Sequence, residues 1–262
     1  MAMNEHALQI RMLKGIAEQN LARAVFDEVW PSEENGTQVT SNLLQAMVHN
    51  GTYVAGAFLE DEIVAAAFAF PGLDEKKHLH LHSHMAAVKE PYRNQNIGSA
   101  LKMHQKEWAL QHGYDTIRWT FDPLVRRNAK INLVKLGVDV FDYFPDFYGN
   151  MADALNAGDP TDRVIANWEL TQEPRAEIDS TGISVALANE IGKPVQYGAT
   201  GATVLCYLPD DIIEIRSKNP ALAREWRLAL RNQLEPRLEN GWHIRGFTND
   251  GAYVVTKTEK VK

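Results

Sequence analysis

Apolar positions along the chain change period several times, and each change predicts an element. Residues 8–13, Leu-Gln-Ile-Arg-Met-Leu, read as a first strand. Ile16, Leu21, Ala24, Val25 and Val29 then supply a helical apolar face until Pro31 interrupts. Ser41 is placed to cap a second short helix carrying Leu43, Leu44 and Met47, and Asn50-Gly51 closes it. Residues 52–59 and 62–70 predict a β-hairpin across Glu60-Asp61, ended by Pro71-Gly72. Residues 78–88 predict another strand, followed by a helix with Ile97, Leu101, His104 and Trp108 on one face and Gly113 at its end. Residues 116–121 read as a strand stopped by Asp122-Pro123. Residues 128–136 read as a helix ended by Gly137, and 138–141 and 164–170 as extended segments.

The polar, turn-rich residues 171–184 predict a linker, dividing the chain into a main domain over 1–170 and a small C-terminal appendage over 185–262. The appendage reads as β-α-β: residues 204–208 and 212–215 extended, a helix opened by Asn219-Pro220, and a closing hairpin of 242–247 and 252–256. So few short strands and one helix bury little alone. The appendage is therefore expected to pack on the main domain or on a second copy of the chain, as in a homodimer. The fold class expected is α/β of the α+β type.

Composition narrows the function classes. Hydrophobic residues at 45% and charged residues at 23% fit a globular chain rather than a disordered one. A formal charge of −7 argues against a global nucleic-acid surface but leaves room for a local cationic cleft. Cys206 is the single cysteine, which excludes an internal disulfide and a multi-cysteine zinc site. Charged residues interrupt every N-terminal apolar run, and no stretch of about 20 apolar residues exists. A cytoplasmic location without membrane association is expected.

The segment richest in chemistry is Ala86-Ala-Val-Lys-Glu-Pro-Tyr-Arg-Asn-Gln-Asn-Ile-Gly-Ser-Ala-Leu101. A strand ends at Val88, a polar loop follows, and a helix begins near Ile97-Gly98. Free N–H groups at a helix start attract anions. Gly98 admits a ligand to the backbone, Asn96 tolerates a left-handed conformation, and Arg93 adds charge. The loop fits a pyrophosphate, or else it is an ordinary strand–turn–helix connection. It matches neither the Gly-x-Gly-x-x-Gly nor the P-loop pattern.

Val88-x-x-Pro91-Tyr92-Arg93-x-x-Asn96-Ile97-Gly98 resembles the acyl-CoA-binding signature of the GNAT N-acyltransferases. Asn128-Ala129 with Leu133-Val-Lys-Leu-Gly137-Val138 resembles the family's second motif, and the element order over 8–170 is the family's order. Leu81-His-Ser-His-Met85, Trp119-Thr-Phe-Asp-Pro123 and Phe147-Tyr-Gly149 resemble a bacterial subgroup with a similar appendage. The resemblance implies a mixed, mostly antiparallel sheet flanked by helices. It also implies acetyl-CoA or another acyl-CoA as co-substrate, with Ala87, Val88, Arg93, Asn94, Gln95, Asn96, Ile97, Gly98, Ser99 and Asn128 around the cofactor. The implied reaction is N-acylation of a small-molecule amine such as an amino acid, by an acetyl or a succinyl donor, without a metal. Two departures stand out: Asn96 occupies a usual glycine position, and Leu133 stands where many members carry a proton-donating tyrosine. Both leave open a second reading, an acyl-CoA-binding sensor without turnover.

Amine acylation needs a base to free the nucleophile, and histidine, with a pKa near 6.5, suits that task. His78, His80, His82 and His84 alternate along one strand and so are expected to share a face. Their spacing of about 7 Å disfavours shared metal ligation. His84, then His82, are the candidate bases, against the alternative of histidines satisfied by neighbours and water. Tyr148, in the run Phe141-Asp-Tyr-Phe-Pro-Asp-Phe-Tyr148 with Tyr143, is a candidate proton donor or an aromatic packing residue. Arg224, Arg227 and Arg231 lie at helical spacing and read as a solvated cationic stripe, or as a carboxylate site if the tail folds over the cleft.

Overall fold

The computed structural model describes residues 8–31, 36–149, 159–172 and 178–257. The chain divides into two compact units, Met1–Arg118 and Trp119–Lys262.

In the first unit the order is β1 (Gln9–Met12), α1 (Gly15–Val29), α2 (Ser41–His49), β2 (Tyr53–Leu59), β3 (Glu62–Leu73), β4 (Leu79–Val88), a 3₁₀ turn at Glu90–Tyr92, α3 (Ile97–Gln111) and β5 (Thr116–Phe121), within which the division falls. β1 to β4 pair antiparallel in chain order, and β5 joins β4 in parallel, with Leu81 opposite Ile117 and His82 opposite Arg118. Leu13, Ala22, Val25, Phe26, Leu44 and Phe58 form the core of this unit with Phe68, Met85 and Ala87.

Three local expectations shift for physical reasons. α1 buries Gln19, Ala22, Val25 and Phe26, while Ile16 and Leu21 are exposed. The Gln19 amide donates to the Leu13 carbonyl at 3.1 Å, so a polar residue can enter the core face. Thr40, not Ser41, caps α2 by accepting from the Leu43 N–H. β3 also runs on through Pro71 and Gly72, because Gly72 gives the His80 ring a place to lie. A Cβ on Gly72 would stand 2.5 Å from His80 Nε2.

In the second unit, α4 (Arg126–Ala129) runs into a π-helical turn at Lys130–Lys135. Then come β6 (Asp139–Phe144), β7 (Arg163–Glu169), β8 (Ser184–Glu190), β9 (Lys193–Gln196), β10 (Thr203–Tyr207), α5 (Ile212–Lys218), α6 (Pro220–Glu239), β11 (Trp242–Phe247) and β12 (Ala252–Lys257). The strands lie in the order β7-β6-β11-β12-β10-β8-β9, antiparallel except for β8 beside β10.

The C-terminal strands are thus present, but richer than a β-α-β tail. Residues 212–215 are helical rather than extended, because the Asp211 carboxylate accepts from the N–H groups of Ile213 and Glu214 and caps α5. Asn219 caps α6, with Pro220 at its first position, as its sequence predicts. The compact units part at Arg118/Trp119 rather than at the expected linker. Strands on both sides of 171–184 share one sheet, with Ile244 of β11 opposite Val140 of β6; residues 173–177 of that stretch lie outside the described residues. Among the described residues no helix is long and apolar enough to cross a membrane.

The arginines of α6 do not form a continuous solvated stripe, since Arg224 alone of the three expected there is exposed. Arg227 is fully buried, with Nη1 2.9 Å from Asp122 Oδ1 and Nη2 2.9 Å from Asp159 Oδ2. Arg216 of α5 reaches the same two carboxylates at 2.5 and 3.1 Å, and Arg231 pairs with Asp162 at 2.6 Å. Burial alone would raise the Asp122 carboxyl, but the guanidiniums of Arg227 and Arg216 outweigh it and hold the group below the usual range. Removing one partner would strand buried charge, so Arg227→Met should lower stability by roughly 3–5 kcal/mol in urea unfolding followed by circular dichroism. A loss below about 1 kcal/mol would mean that the cluster relaxes around the missing cation.

Candidate active site

β4 departs from a regular two-residue period. Ala69 of β3 faces Ser83 and Phe68 faces Met85, so β4 carries His84 as an extra residue, a β-bulge. The bulge redirects the end of the strand: Met85 and Ala87 enter the core that α1 and α2 cover. It also keeps His82 and His84 close, with ring centroids 5.9 Å apart. Phe70 stands 5.0 Å from the His82 ring and 5.7 Å from that of His84, and Phe68 lies edge-on to His84 at 6.0 Å.

Surroundings separate the two candidate bases. His82 is half-buried, and its pKa is lowered to about 4. Burial is the main cause, followed by the charges of His84, His80, Lys102 and Arg118. His84 is exposed at the residue level, although burial of its ring still lowers its pKa. The other two histidines stand elsewhere. His78 pairs with Asp115 at 3.3 Å, and His80 is buried over Gly72. Among the described residues no three metal-binding side chains converge.

After Val88 the chain turns through a braced loop. The Lys89 N–H donates to the Val64 carbonyl at 3.0 Å, and the Tyr92 hydroxyl donates to Glu62 of β3 at 2.9 Å. Asn94 and Asn96 both adopt left-handed backbone, at φ 67° and 61°. Asparagine is among the few residues with a side chain that enters this region readily, so Asn96 keeps the turn a glycine would make. α3 starts directly behind it, and the first N–H groups of a helix have no partner within the helix. Arg93, Asn94, Gln95, Asn96 and Gly98 are exposed around this helix start, while Ile97 and Ala87 anchor it in the interior. The Arg93 Nε–H donates to the Val88 carbonyl at 3.3 Å, which fixes its charge at the strand end. Such a cradle suits an anionic diester or pyrophosphate.

Residues 19–137 match the acetyltransferase (GNAT) family. They form a GNAT domain. No curated protein matches the chain in sequence. Among solved structures, an N-acetyltransferase from Staphylococcus aureus Mu50 is 15% identical, with 63% of this chain and 99% of that chain covered and a TM-score of 0.52. The ribosomal-protein-S18-alanine N-acetyltransferase from Escherichia coli is 13% identical, with 66% and 100% covered and a TM-score of 0.50. These likenesses concern the fold, which is the mixed, mostly antiparallel GNAT arrangement flanked by helices. CoA use is implied for this GNAT domain by its family.

The remaining candidates lie in the second unit. Asn128 is exposed on α4, its N–H donating to the Val125 carbonyl at 2.9 Å. Leu133 is buried in the π-helical turn, 2% exposed, and serves packing. Tyr148 is exposed, its hydroxyl 2.9 Å from Thr120 Oγ1 and the Arg163 guanidinium over its ring. Tyr143 is buried instead, donating to Asp162 at 2.5 Å. Lys102 of α3, back in the first unit, is a residue that sequence reasoning misses. Its Nζ donates to Ser83 Oγ of β4 at 2.7 Å, and burial lowers its pKa to about 7. The available signal is a lysine one helical turn beyond Gly98, on the side of α3 that also carries Gln105 and Ala109.

A side chain at Gly98 is tolerated by the fold, since its Cβ would meet Val88 Cγ2 at an ordinary 3.6 Å. Gly98→Val should therefore leave the fold intact and weaken CoA binding at least about tenfold by calorimetry, through loss of close approach to the backbone. Unchanged affinity would remove the loop as the cofactor site.

Proposed function

We propose that this protein is an acyl-CoA-dependent N-acyltransferase that acylates the amine of a small molecule such as an amino acid, with acetyl, or alternatively succinyl, as the transferred group. The observation that carries this reading is the sequence of bulged β4, left-handed Asn94 and Asn96, and α3 start. It offers an anion cradle at one end of a strand and two imidazoles further back along it. The family assignment of residues 19–137 supports acyl transfer in general.

In this reading Ala87, Val88 and residues 93–99 hold the cofactor. His84 is the general base. An acceptor ammonium has a pKa near 8, so handing its proton to His82 at about 4 would cost roughly 5 kcal/mol, at about 1.36 kcal/mol per unit. At His84 the lowering comes from burial of the ring, and the residue is exposed to a substrate. The leaving thiolate is stable enough, with a thiol pKa near 8.5, to depart without a strong acid. Leu133, which stands where many members of the family carry a proton donor, is buried and apolar.

Thiol release from acetyl-, propionyl- and succinyl-CoA against an amine panel tests the activity. CoA binding without turnover across the panel would favour the sensor reading. His84→Ala should lower kcat/KM by roughly 10²–10⁴-fold while CoA affinity stays within about twofold. Because burial disfavours the imidazolium, the wild-type acidic limb should fall below the usual histidine value near 6.5. Activity persists as pH drops and is lost only on passing the lowered pKa. Full turnover with an unchanged limb in both His84→Ala and His82→Ala would exclude these histidines.

A further inference from the structure

Lys102 lies four residues beyond Gly98 on α3, so both project from the same helix face. Gly98 lies against Val88, and Lys102 reaches Ser83, both on β4. With the bulge between them, those two β4 positions pair with β3 residues four apart, about 13 Å of strand. One face of α3 thus meets β4 at both residues, with the cradle at the helix start and a primary amine one turn further along. Lys102 is half-buried, and its Nζ also donates to Gln105 Oε1 at 3.3 Å. Ser83 and Gln105 are both neutral, and both are buried. Desolvation disfavours the ammonium, so near neutral pH a substantial fraction of Lys102 is the free amine that attacks thioesters.

We propose that Lys102 is an acylation site of this protein, taking the acyl group from an acyl-CoA held on the loop when no acceptor amine is present. This rests on the acyl-CoA reading above. The Nζ lone pair attacks the thioester carbonyl carbon, an N–C bond forms and the C–S bond breaks. CoA departs as the thiolate, and the proton lost from nitrogen passes to that thiolate or to water. No oxidant or reductant is needed. The product is a neutral amide with one N–H left to donate to Ser83. The charge that disfavours protonation of His82 is thereby removed.

The test incubates the full chain with acetyl-CoA and no amine at pH 7.5, then maps acetyl-lysines by peptide mass spectrometry, with CoA binding measured in parallel by calorimetry. Occupancy at Lys102 should exceed that at exposed Lys77 and Lys130 by more than about tenfold, since desolvation favours the free amine at Lys102. Gly98→Val should bring Lys102 down to the exposed-lysine level, and Lys102→Arg should remove the modified peptide while CoA still binds. Measurable CoA binding with Lys102 no more modified than the exposed lysines overturns the proposal. So does Lys102 modification that Gly98→Val leaves undiminished although CoA affinity has fallen. Absence of CoA binding in the wild type would instead remove the acyl-CoA reading, and the proposal with it.

Discussion

The single extra residue in β4 governs the first unit. A strand presents alternate residues to opposite faces, and one inserted residue exchanges the faces beyond it. Ahead of the bulge His82 stands beside Phe70; behind it Met85 and Ala87 take over the core face. Without His84 in excess, Ala86 and Val88 would turn into the α1–α2 core, and the chain would reach the loop with its side chains exchanged. The bulge therefore joins two demands that a regular strand cannot meet together. Polar rings are kept near the middle of β4, and a sealed apolar anchor is kept at its end.

The loop shows how a departure from a pattern can preserve its physics. Glycine is common in such turns because the left-handed region excludes most side chains. Asn96 enters that region at φ 61°, and Asn94 does the same two residues earlier. Glu62 secures the loop from outside by accepting from both Lys89 and Tyr92. The cradle thus rests on backbone geometry and a brace from β3 rather than on one particular residue.

Much of this was legible in the chain, because short-range rules decided it. The β2–β3 hairpin, α3, the Asn219-Pro220 helix start and the closing β11–β12 hairpin follow from periodicity and capping residues. Long-range partnerships were not legible. Even the six-residue reach of the Gln19 amide back to the Leu13 carbonyl is set by the fold and not by the helical period. The charge of α6 reads as a solvated face until Asp122 and Asp159 arrive from far along the chain. The bulge at His84 escaped for the same reason, since it exists only in the register between two strands. Alternating histidines look regular until β3 is laid beside them. Residues 212–215 misled locally, because an Ile-Ile-Glu-Ile run suits strand and helix alike and the Asp211 cap decides between them.

The Asp122 cluster also bears on where the protein can be cut. Asp122 lies inside the 19–137 segment that matches the acetyltransferase family, yet its two countercharges come from Arg216 and Arg227, well beyond that segment. A fragment trimmed to the family's length would keep a carboxylate whose neutralising cations had been left behind. It would have to hydrate that site or protonate it. The extra C-terminal helices are therefore structural dependencies of the matched segment, and any minimal version of this protein must carry them or replace Asp122 with a neutral residue.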